Sequence, residues 1–483
     1  MTNQYSTGTI PRMKEDSVMV EQPGHPLPPR GERAAALAAH LRGRIEAGIV
    51  RPGARLPSVR QLADEWGVSR FTVVEAYDRL TAAGWAEARR GAGFYAQMPS
   101  SSAPAKAQED PMPTGPAPTW LVSAMLRTHV VDKAPGGGLV PPGWLDAGLA
   151  SRALRTIARN EDAWLGYGEA QGVPALRQAL GRKLGEIGIP DDPNLVITSI
   201  GATQGLDLVA GALVSPGDTV LVDDPGFFLP FAQLAARGAH VVGVPWVGDG
   251  PDLAALDELV ARHRPRLYLT TASLHNPTGG HLSPAKAHRV LRLAEATGMW
   301  IVEDDVYGDL AMHPPPRLAA LDGLSRVIHL GSFSKTLAAG WRVGYIAAPV
   351  ALVPLLVERK LLAGMTTPQP AELAVASILA DGAYRRYVAR LRERVAKARG
   401  RALKAIAAAG FTPLEPAGEG MFVWAQGQVD AQVVAARLWQ DGILAAPGAL
   451  FSPSGAASTW MRINVAAAEH APLLAAMAAA NRG

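Results

Sequence analysis

The stretch Val327–Tyr345, VIHLGSFSKTLAAGWRVGY, decides how this chain is read. Val327–Leu330 is an apolar run of the length of a short buried strand. A polar turn follows, Gly331-Ser332-Phe333-Ser334, and then Lys335. Seven residues on, Arg342 opens a second apolar run, Val343–Ala348. Hydroxyls, one amine and one guanidinium thus gather at a single strand end. That set suits a phosphorylated aldehyde, because the amine can form a Schiff base while the hydroxyls and the guanidinium hold the phosphate. Only nine lysines stand against 38 arginines, so a lysine at this point carries information.

Around that stretch lies a chain of 483 residues, too long for one hydrophobic core. With 48% hydrophobic and 19% charged residues it is globular rather than disordered. It has no cysteine, which excludes disulfides and thiolate metal sites and fits a reducing cytoplasm. MTNQYSTGTIPRMKED has no apolar signal-peptide core, and no apolar run is long enough to predict a membrane span. The formal net charge of +4 is unevenly placed: residues 30 to 98 hold 11 arginines and 7 acidic residues, and the rest of the chain balances. A basic N-terminal segment of this kind points to nucleic acid.

Residues 1–28 are polar and read as a tail. From Arg33 to Ala47, Leu37, Leu41 and Ile45 recur at helical spacing. Ser58 is the N-cap of a second helix whose buried stripe is Val59, Leu62, Ala63 and Trp66. Ser69 caps a third helix with Val73, Ala76, Tyr77 and Leu80 inward, and Gly84 ends it. Trp85–Ala88 and Gly93–Ala96 then read as two strands. This order is that of a winged helix-turn-helix. LPSVRQLADEWGVSRFTVVEAYDRLTAAGWAEARRGAGFYA resembles the DNA-binding domain of the GntR family. The resemblance implies that the third helix enters the major groove of double-stranded operator DNA. Arg60, Arg70, Phe71 and Thr72 would then meet the DNA, with the wing residues Arg89 and Arg90 along phosphate. Phe71 departs from the usual polar residue at its position.

Residues 98–118 are a Pro/Ala/Ser-rich linker between a domain at 29–97 and another at 119–483. Beyond it, apolar strands alternate with helices: Leu195–Thr198, Thr219–Val222, His240–Val244, Leu267–Thr271, Met299–Val302, Val327–Leu330 and Val343–Ala347. The pattern predicts an α/β class fold, a large and mostly parallel sheet covered on both faces. From about Ala371 two Ala/Arg-rich helices and three short strands, Met421–Ala425, Ile443–Ala445 and Met461–Val465, predict a smaller α+β lobe. Gly166-Tyr167-Gly168 is not a dinucleotide loop, because Gln171 takes the third glycine position and no strand precedes it.

Ligands of parallel sheets sit beyond the carboxyl ends of the strands, and the strand ends here carry matching chemistry. Ala202-Thr203-Gln204 open a helix after the first strand, an anion site by free N–H groups. The second ends in Asp224-Pro225-Gly226-Phe227, the fourth in His275-Asn276-Pro277-Thr278-Gly279. The fifth ends in Glu303-Asp304-Asp305-Val306-Tyr307 and the sixth in Lys335. These are the parts of a pyridoxal 5'-phosphate site: a carboxylate for the pyridine nitrogen, an amide and a phenol for the ring oxygen, an aromatic face, and a phosphate cup.

Residues 120 to 483 resemble the fold-type I aminotransferases of class I/II. That resemblance implies a Lys335 Schiff base with pyridoxal phosphate, Asp304 facing the pyridine nitrogen, Asn276 and Tyr307 beside the phenolate, and Phe227 stacked on the ring. It places Ala202, Thr203, Gln204, Ser332, Ser334 and Arg342 around the phosphate. Tyr167 would reach the phosphate of a partner subunit, implying a homodimer, and Arg462 would bind a substrate α-carboxylate. Lys335, Asp304 and Tyr307 make the catalytic set of a transaminase. Arg342 follows Lys335 at the seventh position, where several aminotransferases have eight, a spacing shared by regulatory relatives and some enzymes. The whole arrangement resembles MocR-type regulators. The expectation is a transcriptional regulator sensing an amino acid, amine or B6-related effector, and the alternative is a working aminotransferase with an accessory DNA-binding domain.

Overall fold

In the computed structural model, residues 29–89, 91–98, 117–127, 133–467 and 470–482 are described. The tail expected at 1–28 and residues 99–116 of the expected linker lie outside them. The chain divides into two compact units, Met1–Pro111 and Met112–Gly483.

The first unit packs α1 (Arg33–Glu46), α2 (Val59–Trp66) and α3 (Arg70–Ala82) against a hairpin of β1 (Ala86–Arg89) and β2 (Gly93–Ala96). The N-caps form as their sequence requires: Ser58 Oγ accepts from the Gln61 N–H at 3.2 Å and Ser69 Oγ from the Thr72 N–H at 3.1 Å. Gly67 closes α2 in the left-handed conformation. Leu37, Leu41, Ile45, Leu62, Val73, Tyr77 and Leu80 form the core. Val59, expected inward, is only half-buried, because it stands on the first turn at the edge of that core. Tyr77 stacks on Phe94 and donates its buried hydroxyl to the Pro57 carbonyl at 2.6 Å, so the wing, α3 and the turn before α2 are tied together.

In the second unit all seven expected strands join one sheet: β3 (Val196–Ile200), β4 (Thr219–Asp224), β5 (His240–Pro245), β6 (Leu267–Thr270), β7 (Trp300–Asp304), β8 (Val327–Ser332) and β9 (Val343–Ala347). Their order is β3-β9-β8-β7-β6-β4-β5, parallel except where β9 lies between β3 and β8. Alternation sends successive residues to opposite faces. Val220, Val302 and Ile328 enter one apolar cluster, while Leu221, Ile301 and Val327 enter the other. Both faces are therefore buried, as a parallel sheet needs.

The smaller lobe has the long helix Ala383–Ala408 and a four-stranded antiparallel sheet of β10 (Thr412–Pro413), β11 (Phe422–Gln426), β12 (Ala446–Pro447) and β13 (Trp460–Asn464). The strand expected at Ile443–Ala445 forms one step later, because only Ala446 and Pro447 find ladder partners on β13. Instead, Leu444 exchanges hydrogen bonds with a strap from earlier in the chain: its N–H donates to Lys133 O at 2.7 Å and its carbonyl accepts from the Gly136 N–H at 3.0 Å. Asn464 N–H adds a bond to Pro135 O at 2.8 Å. No helix among the described residues is long and apolar enough to cross a membrane.

Candidate functional site

The segments that follow β6, β7 and β8 meet the strap and β13. Lys335 leaves the turn after β8, and its ammonium donates to the Gly138 carbonyl at 2.8 Å. Burial drives its amine down to about 8, and the Arg462 and Arg342 cations push the same way against Asp304. The Lys335 Nζ stands 5.6 Å from the centre of the Tyr307 ring. Tyr307 directs its hydroxyl to the same Gly138 carbonyl at 3.5 Å, and burial raises that phenol above its ordinary range.

Arg462 projects from β13 and is 2% exposed. It donates to Asn276 Oδ1 at 2.9 Å and to the Gly136 carbonyl at 2.6 Å, while its Nε has no partner. Phe422 and Phe451 lie under the guanidinium, 4.3 and 4.9 Å from its carbon. Desolvation lowers it to about 10. Asn464, two residues on, donates to Gly137 O at 3.0 Å and Leu139 O at 2.9 Å. Three consecutive glycines thus offer carbonyls to Arg462, Asn464 and Lys335. A side chain at Gly136 would meet the Ala446 nitrogen at 2.4 Å, so only glycine fits that approach.

The three acids ending β7 divide their work. Glu303 is buried, accepts from the N–H groups of Leu318 at 2.7 Å and Ala319 at 3.1 Å, and lies 3.2 Å from His329 Nδ1. Asp305 pairs with Arg317 at 3.0 Å. Asp304, between them, accepts from the Val306 N–H at 3.3 Å. Burial pushes its carboxyl up to about 6, with Asp305 adding to the rise and Lys335 opposing it. A second acid, Asp223 on β4, is saturated by the Tyr268 hydroxyl at 2.6 Å, the Thr270 hydroxyl at 3.0 Å and the Thr271 N–H at 2.9 Å. His275, stacked on Trp246 with 4.0 Å between ring centres, holds the Asn276 turn from behind. Its Nδ1 is 2.8 Å from Thr278 Oγ1.

On the other side of Lys335, Arg342 donates to Ser334 Oγ at 3.3 Å and Ile200 O at 3.1 Å from a left-handed backbone conformation, φ 54°. Ser332 Oγ accepts from the Ser334 N–H at 3.2 Å. Gly201 (φ 72°) starts the helix Gly201–Leu213, and a Cβ there would lie 2.7 Å from Arg342 Nη2. Ala202 and Gln204 are half-buried and Thr203 is exposed on this helix; Gln204 turns back to accept from the Ile200 N–H at 2.7 Å. Phe227 is half-buried and packs on Phe228, ring centres 5.0 Å apart. Tyr167 is 78% exposed.

The structure thus gathers Lys335 and Tyr307 on the Gly138 carbonyl, and Asn276 with Arg462 beside the Gly136 carbonyl of the same strap, with Ser332, Ser334, Arg342 and the start of the Gly201 helix as a second group. Sequence reasoning missed the strap, whose only signal is the run Gly136-Gly137-Gly138. It also missed Asp223 and Asn464. In the first unit, Arg60 and Arg70 are exposed, but Thr72 Oγ1 is 2.8 Å from Ser69 Oγ within the cap, and Arg89 pairs with Glu87 at 3.0 Å and lies over the Tyr95 ring. Arg90 lies outside the described residues.

Residues 137–479 match the aminotransferase class I and II family, and residues 33–96 match the gntR family of bacterial regulatory proteins. The chain is 32% identical over 459 residues to the HTH-type transcriptional regulator TauR of Rhodobacter capsulatus, covering 88% of this chain and 91% of that one. It is 31% identical over 369 residues to the probable rhizopine catabolism regulatory protein MocR of Rhizobium meliloti, 73% and 72% of the two chains. Among solved structures it resembles LysN, the alpha-aminoadipate aminotransferase of Thermus thermophilus, with 28% identity and a TM-score of 0.68 over 75% of this chain and 94% of that one. That structure is complexed with N-(5'-phosphopyridoxyl)-L-leucine. The chain belongs to the aminotransferase class I and II family, in the two-domain form, headed by a gntR-family domain, that it shares with the MocR- and TauR-type proteins.

Proposed function

We propose that this protein is a DNA-binding transcriptional regulator whose second unit holds pyridoxal phosphate and senses an amino acid, an amine or a B6-related compound. The observation that carries the reading is the place of Lys335: a lysine at a strand end, its amine hydrogen-bonded to the Gly138 carbonyl and lowered by burial to about 8, in a chain whose first unit is a winged helix-turn-helix. Dependence on pyridoxal phosphate is a property of the class I and II family, and the groups present fit the cofactor. When bound, it supplies an aldehyde for an amine and an electron-withdrawing ring. Lys335 offers the amine, and its lowered pKa keeps a larger neutral fraction near neutral pH than an ordinary lysine has. Asp304 is the carboxyl for the ring nitrogen, Asn276 and Tyr307 the hydrogen-bonding pair for the ring oxygen, and Phe227 the packing face. Ser332, Ser334, Arg342 and the Ala202–Gln204 helix start suit a phosphate.

Arg462 is the partner for an effector carboxylate. It belongs to the small lobe while Lys335 belongs to the large domain, so a ligand touching both favours a closed arrangement, and coupling follows from its differential affinity for closed and open forms. Tyr167, so exposed in one chain, fits a place at a dimer interface. DNA contact falls to Arg60 and Arg70, in a protein of the cytoplasm.

A spectral titration of the purified protein with a panel of amino acids and amines, repeated with operator DNA by gel shift, tests the reading. The expected result is a cofactor band whose position one class of compound changes, with a matching change in DNA affinity. A colourless protein that still responds to effector would overturn it. Steady release of a keto acid would favour the enzyme reading, which the retained Lys335, Asp304 and Tyr307 support.

A further inference from the structure

The first two turns of α3 expose two apolar side chains where a DNA-reading helix is usually polar, while Asp78, Arg79 and Thr81 are exposed further along. Phe71 is 78% exposed and Val74 39% exposed, one turn apart on the same face. Neither is needed by the core, which takes Val73, Tyr77 and Leu80 from the opposite side of this helix. The polar neighbours are already engaged: Thr72 Oγ1 lies 2.8 Å from Ser69 Oγ, and Arg79 is paired with Glu75 at 2.8 Å. What α3 offers a partner on its first two turns is therefore a hydrophobic pair beside the exposed guanidinium of Arg70. The major groove presents donors, acceptors and a single kind of apolar group, the C5-methyl of thymine.

We propose that Phe71 and Val74 are specificity-determining residues that pack on thymine methyls, so that sequence is read here by burial rather than by hydrogen bonds. The inference rests on the DNA-binding reading of this unit and deepens it. Arg70 supplies attraction to phosphate or to a guanine edge. The Phe71 ring and the Val74 methyls supply preference for thymine over cytosine at one or two neighbouring positions. A duplex that lacks the methyl keeps every hydrogen bond and loses only this contact.

The test uses the full chain and duplexes selected by it from a random-sequence pool. The selected site is synthesised with thymine and with each thymine replaced singly by deoxyuridine. At one or two positions per half-site, uracil is expected to weaken wild-type binding by about fourfold, the fold-change of removing one buried methyl-sized group. Phe71→Ala is expected to bind the thymine duplex more weakly and to lose the uracil penalty. Wild-type binding that tolerates uracil everywhere, or a Phe71→Ala protein that keeps the full penalty, would overturn the proposal; the first arm needs no variant to fold. If Phe71→Ala loses affinity by the same factor on the thymine and the uracil duplex, the uracil penalty persists, the proposal is overturned and Phe71 is assigned to sugar contact. Failure of the pool to yield any preferred sequence is a separate result, which sinks the DNA-binding reading itself.

Discussion

The two units present their chemistry in opposite ways. In the aminotransferase unit, Arg462 and Asn276 are almost fully buried and paired with each other, and Lys335 and Asp304 are displaced from their ordinary pKa values. In the winged-helix unit Arg60, Arg70 and Phe71 stand in solvent on a core that would be complete without them. A small ligand that must be held in one orientation needs groups fixed in advance, and fixing charged groups inside a protein requires partners for them. A long polyanion supplies its own charge and shape, so its binding surface needs only to be displayed. Substitutions in the first unit should therefore act locally and moderately, and those in the second should disturb whole networks.

The largest expected effect is at Lys335. Lys335→Ala should abolish the visible absorbance band and leave operator binding intact; a variant that stays yellow would break the comparison, because the amine would then lie elsewhere. Next comes Arg462→Met, which should abolish the effector response in gel-shift titrations. It also removes a cation that depresses Lys335. The amine should then titrate above about 8, and the midpoint for adding pyridoxal phosphate to the cofactor-free protein should move to higher pH. A midpoint unchanged or lower would show that burial alone sets the lysine. Arg60→Ala and Arg70→Ala should each weaken operator binding by about 1–3 kcal/mol with cofactor content unchanged, measured by fluorescence anisotropy and absorbance on the same samples. Gly136→Ala forces a methyl against the Ala446 backbone and should cost about 1–3 kcal/mol of stability, against little for Gly138→Ala, whose Cβ meets nothing closer than 3.6 Å. Chemical denaturation of the pair sharpens the contrast between a docked strap and a loose one. The smallest effect belongs to Ser58→Ala, where loss of one N-cap should lower the stability of the winged-helix unit by about 1 kcal/mol.

What could be read in advance divides along the same line. The seven strands of the large sheet were legible because each is a short apolar run ended by turn-forming or charged residues, and β-branched residues dominate several of them. The placement of Lys335, Asn276, Asp304 and Arg342 along one edge of the sheet was legible because they flank those strands. The Ala446–Pro447 strand was not, since two residues, one of them proline, carry no period and pair only because Met461 and Arg462 lie opposite. The role of Gly136 and Gly138 was hidden for a different reason: the glycine run signals only a close approach, while the bonds it makes use carbonyl oxygens, which every residue has. The engagement of Thr72 in its own cap was equally hidden, because a Ser-x-x-Thr pattern does not say whether the second hydroxyl turns inward or out.

Arg462 meets Gly136 O and Asn276 Oδ1 before any ligand arrives. On the reading proposed above, a carboxylate arriving at this guanidinium would compete with neutral oxygens at two of its nitrogens and find the third, Nε, without a partner. Ionised acceptors form hydrogen bonds roughly twice as strong as neutral ones, so the exchange is favourable for an anion and close to even for an amide, an ester or an alcohol. The strap would then work as a charge filter: neutral analogues would gain little over the carbonyl and amide already in place, and selectivity for acids would be built from a contact that contains no acid at all.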